Sequence, residues 1–336
     1  MKRRRILAGA IVLPAFLLVS RAADMPPKPP LGLAPVEWPK DNPYSKARVD
    51  LGRLLYFDRR LSADETVSCA SCHDPQMGFT DNAPVSTGIK AQKGGRSAPT
   101  VINRVYSMAQ FWDGRAASLE EQAKGPIANP IEMGMTHDAA VRRIREIPGY
   151  RPLFAKAFGT EDIDIDRIAK AIACFERTVM SGNAPYDRYR RGEKSALSAQ
   201  QVRGLDIFVN KAKCDQCHEG ANFTLNSYHN LGVGIDKPEP DLGRYVVTKD
   251  ARDWGAFKTP TLREIEHTAP YMHDGSLKTL EEVVEYYDKG GTANKNLDPA
   301  IRPLHLTDQD KKDLVAFLKT LSGQGWQVTP PAEFPK

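Results

Sequence analysis

Two five-residue runs carry the chemistry of this chain: Cys69-Ala-Ser-Cys72-His73 and Cys214-Asp-Gln-Cys217-His218. A Cys-x-x-Cys-His run is the attachment signature of a c-type haem. Two thiols add across the vinyl groups of one porphyrin edge, and the next histidine reaches the iron from the proximal side. A Cys-x-x-Cys pair alone would suit a disulfide, a zinc site or a redox dithiol equally well. The histidine that follows, present in both runs, selects haem. Two haem c groups in one chain imply electron movement, alone or coupled to a reaction.

The chain begins Met1-Lys-Arg-Arg-Arg5, runs apolar from Ile6 to Ser20, and continues Arg21-Ala22-Ala23. A basic head, a short apolar core and small residues form a secretory signal peptide over 1–22, cut after Ala22. The apolar run is short for a membrane span, so no stable span is expected after cleavage. Export to the periplasm agrees with haem attachment outside the cytoplasm. The arginines resemble a twin-arginine signal, but the general secretory route fits a haem that is added after export.

The whole chain has 47 Lys and Arg against 42 Asp and Glu, a net charge of +5. All of the excess lies in Lys2, Arg3, Arg4, Arg5 and Arg21, so the mature chain balances at 42 against 42. The basic pI therefore gives no reason to expect a nucleic-acid partner. Four of five cysteines belong to the two motifs. Cys174 is left, in a stretch with apolar residues at 168, 172, 175 and 179, and reads as a small buried residue of a helix.

Roughly 310 mature residues suit two domains. Residues 23–40 hold six prolines and read as an extended arm. A helix is expected over 45–56, ahead of the first motif. Ser198 to Gln201 has the form of a capping box, followed by Val202, Leu205 and Phe208 on the way to Cys214. Thr307 to Asp310 caps a last helix carrying Leu314, Phe317, Leu318 and Leu321. Strand signals are scarce. The expected fold is mainly α, with two cytochrome c-like domains over 41–185 and 195–336, each holding one covalent haem.

An internal repeat supports that plan. Pro99-Thr100, Asp113-Gly114 and Leu119-Glu-Glu121 recur as Pro260-Thr261, Asp274-Gly275 and Leu280-Glu-Glu282, each 161 residues on. The same offset puts His273 opposite Trp112 and Tyr287 opposite Pro126. The sixth iron position decides between electron transfer and catalysis. Proline offers no ligand, so the His73 iron would be open. Tyr287 could bind the His218 iron and favour high oxidation states, or simply pack beside Tyr286. Met272, His273, His267 and His229 are rival ligands. His137, His229 and His305 lack motif context and read as surface or packing residues.

Phe111-Trp-Asp-Gly-Arg115, Gln122-Ala-Lys-Gly-Pro126, Pro130-Ile-Glu132-Met and Thr268-Ala-Pro-Tyr-Met-His-Asp-Gly275 together resemble the bacterial di-haem cytochrome c peroxidase and MauG family. The resemblance spans roughly residues 41–325. It implies a peroxidatic N-terminal haem, an electron-transfer C-terminal haem and a calcium ion between them. Trp112 matches the tryptophan between the haems, and Gln122 and Glu132 match the distal pair that handles hydrogen peroxide. Thr268 and Pro270 match carbonyl calcium ligands. Ser97 stands where the family has asparagine and is a poorer partner for a hard cation.

Two departures point to the MauG-like branch. The loop Ser86–Gly95 has no histidine to cap the resting peroxidatic iron, and Tyr287 replaces the methionine ligand of ordinary cytochrome c peroxidases. MauG-like proteins carry tyrosine there. The resemblance thus implies an enzyme that uses peroxide to oxidise a partner protein in the periplasm. Lys211-Ala-Lys213 stands where MauG has a surface tryptophan, which argues against methylamine dehydrogenase as that partner. The alternatives are a detoxifying peroxidase fed by a small redox protein, and a di-haem electron carrier without catalysis.

Overall fold

The computed structural model describes residues 25–336; the expected signal peptide lies outside them. The helices in chain order are α1 (Lys46–Phe57), α2 (Cys69–Cys72), α3 (Leu119–Ala128), α4 (His137–Arg145), α5 (Arg151–Phe158), α6 (Ile165–Glu176), α7 (Pro185–Arg190), α8 (Ala199–Asp206), α9 (Tyr245–Thr248), α10 (Leu280–Asp288) and α11 (Asp308–Leu318). The sheet content among the described residues is one short antiparallel pair, β1 (Tyr228–His229) with β2 (Phe257–Lys258). Tyr228 faces Lys258 and His229 faces Phe257.

Apolar residues collect into two separate cores. One gathers Leu51, Leu55 and Tyr56 of α1, Ile127 of α3, Phe154 of α5, and Ile168, Ile172 and Phe175 of α6. The other gathers Phe208, Phe223, Leu280 and Val284 of α10, and Leu314, Phe317 and Leu318 of α11. In each core the helix before the haem motif crosses a later helix through a glycine. A Cβ at Gly52 on α1 would collide with the Ala171 carbonyl of α6, and one at Gly204 on α8 with the Asp313 carbonyl of α11. Backbone contact at that range leaves no room for any other residue.

The repeat seen in the sequence is a repeat of backbone geometry. Phe111 and Met272 both take positive φ, at 66° and 71°, as do Asn103 and Glu264, both at 60°. The turn closed by Gln110 and Ala116 recurs between Tyr271 and Leu277. Thr100 Oγ1 donates to the Gly78 carbonyl at 2.6 Å, and Thr261 Oγ1 to the Asn222 carbonyl at 2.7 Å. Both caps expected in the second half form, at Ser198 and Thr307. Cys174 is buried in α6, donates to Asn42 Oδ1 at 3.3 Å, and has its pKa pushed up to about 11 by burial.

The proline-rich arm is extended and tied down. Its Leu31 carbonyl accepts from Asn183 N at 2.7 Å, and its Ala34 carbonyl from Tyr106 Oη at 2.7 Å. Beneath it, Arg263 and Asp187 form a buried bidentate pair at 2.6 and 2.9 Å. No helix among the described residues is long and apolar enough to cross a membrane.

Candidate active site

Two cavities open beside the two motifs. The first, about 490 Å³, is lined by Cys69, Cys72, His73, Gln122, Pro126 and Glu132. The second, about 540 Å³, is lined by Cys214, Cys217, His218, Thr268, Pro270 and Tyr287. Both volumes fall in the range of cofactor sites, ~300–1,000 Å³. Trp112 and Ser97 line both cavities, so the wall between them is shared. The cysteines and histidines of the two motifs and the site residues drawn in by the resemblance all lie in these two chambers or their shared wall; the rival ligand His267 does not.

The motif histidines are prepared as ligands. His73 Nδ1 lies 3.3 Å from the Phe79 carbonyl, and His218 Nδ1 lies 3.0 Å from the Phe223 carbonyl. A carbonyl can only accept, so Nδ1 carries the proton and Nε2 keeps its lone pair for a metal. Burial holds the His73 pKa below its usual value and brings that of His218 down to about 4. No disulfide joins the motif cysteines among the described residues. Burial raises the thiol pKa of Cys69, Cys72 and Cys214, that of Cys72 to about 11. The residues present fit a covalently held haem c in each cavity.

The distal side of the first cavity is built by α3 and the turn after it. Ser118 caps α3 by accepting from Glu121 N at 3.1 Å. Pro126 sits inside this helix, which ends at Ala128. The chain then turns, and Asn129 Nδ2 donates to Glu132 Oε1 at 2.7 Å. Burial raises the Glu132 pKa, opposed by the Arg115 cation and the Asn129 bond. Arg115 packs over the Phe111 ring at 3.6 Å and pairs with Asp113 at 2.9 Å. Gln122, one turn into α3, lines the same wall.

The partition is pinned from both sides. Trp112 Nε1 donates to the Ser97 carbonyl at 2.9 Å, and Ser97 N donates to the His273 carbonyl at 2.7 Å. The Trp112 carbonyl accepts from Lys258 N of β2 at 2.7 Å. The Thr268 and Pro270 carbonyls and the Ser97 hydroxyl take no hydrogen bond from the described residues. Among those residues no group of three or more His, Cys, Asp or Glu could hold a metal ion. A cation at the partition would therefore rest on neutral oxygens, which is chemistry that calcium accepts.

The structure places the remaining histidines and adds partners unseen from sequence. His229, read as a surface or packing residue and as a rival ligand, lines the second cavity, with Nδ1 2.7 Å from Asp298 Oδ2 and Nε2 2.8 Å from Ser227 Oγ. The Cys217 sulfur and then Asp298 push its pKa up to about 9; once Cys217 is a thioether, only the Asp298 part persists. Sequence missed this because Asp298 is 69 residues away. Met272 and His273 also line the second cavity. His267 instead lies half-exposed beside Glu264. His137 is a packing residue, bonded to the Lys124 carbonyl at 2.9 Å, and His305 is exposed. Buried Glu176 of α6 lines the first cavity and had no motif to betray it.

Comparison with known proteins agrees with this geometry. Residues 46–195 match the family model of di-haem cytochrome c peroxidase, and residues 201–322 that of cytochrome c. The chain is 42% identical over 299 residues to the methylamine utilization protein MauG of Methylorubrum extorquens, covering 88% of this chain and 84% of that protein. It is equally 42% identical over 287 residues to the cytochrome c551 peroxidase of Nitrosomonas europaea, covering 84% and 81%. A solved MauG-like protein associated with microbial copper homeostasis superposes with a TM-score of 0.83 at 36% identity, covering 90% of this chain and 96% of that one. The chain belongs to the di-haem cytochrome c peroxidase family. It is a haem peroxidase of two cytochrome c-like domains, with haem c as cofactor.

Proposed function

We propose that this protein is a MauG-like peroxidase of the periplasm, which uses hydrogen peroxide to oxidise a partner protein. The observation that carries this reading is the contrast between Pro126 in the wall of the first cavity and Tyr287 in the wall of the second. Cys69, Cys72 and His73 hold the peroxidatic haem of domain 41–185. Cys214, Cys217 and His218 would hold the electron-transfer haem of domain 195–336, and the Tyr287 oxygen, in the wall of the same cavity, would serve its iron as a ligand. Ser97, Thr268 and Pro270 would hold a calcium ion between the two haem sites.

When bound, haem c supplies an open iron position and the redox change for cleaving the O–O bond. Glu132 takes the proton from one peroxide oxygen and returns it to the departing one. Its Oε1 is held by Asn129, which leaves Oε2 for that proton. A carboxyl whose pKa is raised by burial suits both halves of the transfer. Gln122 orients the peroxide. Trp112, common to both cavity walls, provides the route for electrons between them.

The test is optical and EPR spectroscopy of the fully oxidised protein before and after one equivalent of peroxide. The expected result is one high-spin and one low-spin haem that react without prior reduction. Equal identity to a cytochrome c551 peroxidase favours detoxification as the second reading. Reaction only after one-electron reduction, with fast turnover of reduced cytochrome c, would establish that one instead.

A further inference from the structure

Two cations stand in the cavity walls without a counter-charge. Lys258 on β2 is 3% exposed and lines the second cavity. Its backbone is fixed by pairing with Tyr228 and by the bond to the Trp112 carbonyl. Its ammonium makes no ion pair or hydrogen bond with the described residues. Arg104 is 9% exposed and lines both cavities. Its guanidinium donates to the Thr100 carbonyl at 2.7 Å and, in a long contact of 3.5 Å, to Ser107 Oγ. It also has no carboxylate partner among the described residues.

The two cations face each other's field. Burial, and then Arg104, bring the Lys258 pKa down to about 6, so Lys258 holds its charge at neutral pH only with an anion beside it. Glu176, the acid nearest Arg104 in its effect, does not cancel them: burial raises it to about 8, so it is mostly neutral at pH 7. Like charges buried together and unpaired are strongly unfavourable. A fold that keeps both is built around an anion. Haem c carries two propionates, and both cavities are haem sites in this family.

We propose that Lys258 and Arg104 form a shared seat for haem propionates, Lys258 for the C-terminal haem and Arg104 for both haems. Arginine suits the shared place, because its planar fork has donors to spare after bonding the wall. The seat touches no reacting atom. It acts through the propionates on the iron: a cation held there favours the ferrous state, because reduction removes positive charge. Trp112 and Lys258 are joined by a backbone bond, so this charge is fixed relative to the partition between the haems. The inference rests on haem occupancy, not on the MauG-like reading.

The experiment is a spectroelectrochemical titration of the holoprotein, with two haems per chain verified by pyridine haemochrome. K258Q should shift the oxidised-to-reduced ratio of the C-terminal haem about tenfold toward oxidised, a fall of 59 mV for one electron. The N-terminal haem should stay in place. K258R should restore the potential, and R104Q should lower both haems. Fully loaded K258Q with both potentials unchanged overturns the proposal. If K258Q fails to load haem, K258R is read by the resonance Raman propionate-bending band. A shifted band supports the seat, and an unmoved band overturns it.

Discussion

Pro126 and Tyr287 occupy the same, eighth, position of two helices that start with the same cap. Ser118 accepts from Glu121 N and Thr279 from Glu282 N, each at 3.1 Å. One helix thus presents a ring without a ligand atom to the first cavity, and the other presents a phenol to the second. The asymmetry between two homologous chambers is a single side-chain exchange on a common backbone. Removing the phenol oxygen by Tyr287→Phe should convert the low-spin ferric signal of the C-terminal haem to high-spin. EPR of the oxidised variant checks this, and an unchanged low-spin signal would give the ligand role to Met272 or His273.

Glu132→Gln keeps the size of the side chain and its bond with Asn129 but cannot take a proton. The rate of reaction with peroxide should fall by ~10²–10⁴-fold, with haem content unchanged. In the wild type the ionised form is the base. The rate should therefore rise with pH through a pKa above the ordinary glutamate value of ~4.3, and E132Q should lose that rise. Stopped-flow pH profiles of the two proteins make the comparison.

Trp112 anchors the partition through its indole nitrogen. Trp112→Phe leaves the Ser97 carbonyl without its donor, at a cost of about 1–3 kcal/mol. It also removes the indole common to both cavities. Electron exchange between the haems should slow, while the spectrum of each haem at rest stays near that of the wild type. Flash reduction of one haem, followed by the relaxation rate, measures this directly.

The Arg263–Asp187 pair is 1% and 3% exposed. Asp187→Ala strands a buried guanidinium and should destabilise the protein by about 3–5 kcal/mol. Asp50→Ala, which breaks a pair with Lys46 at 60% and 53% exposure, should cost under about 1 kcal/mol. Denaturant midpoints of the two variants decide whether burial governs the difference.

Glu176 gives stability a pH limb. Its folded pKa, about 8, lies above the unfolded value of ~4.3. Between these values the folded state binds more protons, so stability falls as pH rises and the loss is complete above pH 8. Glu176→Gln should flatten that limb. Melting temperatures taken from pH 5 to 9 on both proteins test it.

The motifs, the caps and the repeat were legible in the sequence because each is local. Cys-x-x-Cys-His needs five consecutive residues, and a cap needs four. The 161-residue offset survived because the turns at Phe111 and Met272, and at Gly114 and Gly275, demand the same unusual backbone in both halves. The family blocks then drew Trp112, Gln122, Glu132 and Tyr287 into one mechanism.

What only the tertiary structure decided is where charge is buried without a partner. Lys258, Arg104 and Glu176 look like any other charged residues along the chain. Nothing in their neighbours marks them, since burial is set by elements far away in sequence. His229 is the same case: its partner Asp298 lies 69 residues on in the chain. The sequence by itself marked the groups we propose for holding the haems, because covalent attachment requires fixed spacing. The fold determined which charges face them, because desolvation is a property of packing and not of order along the chain.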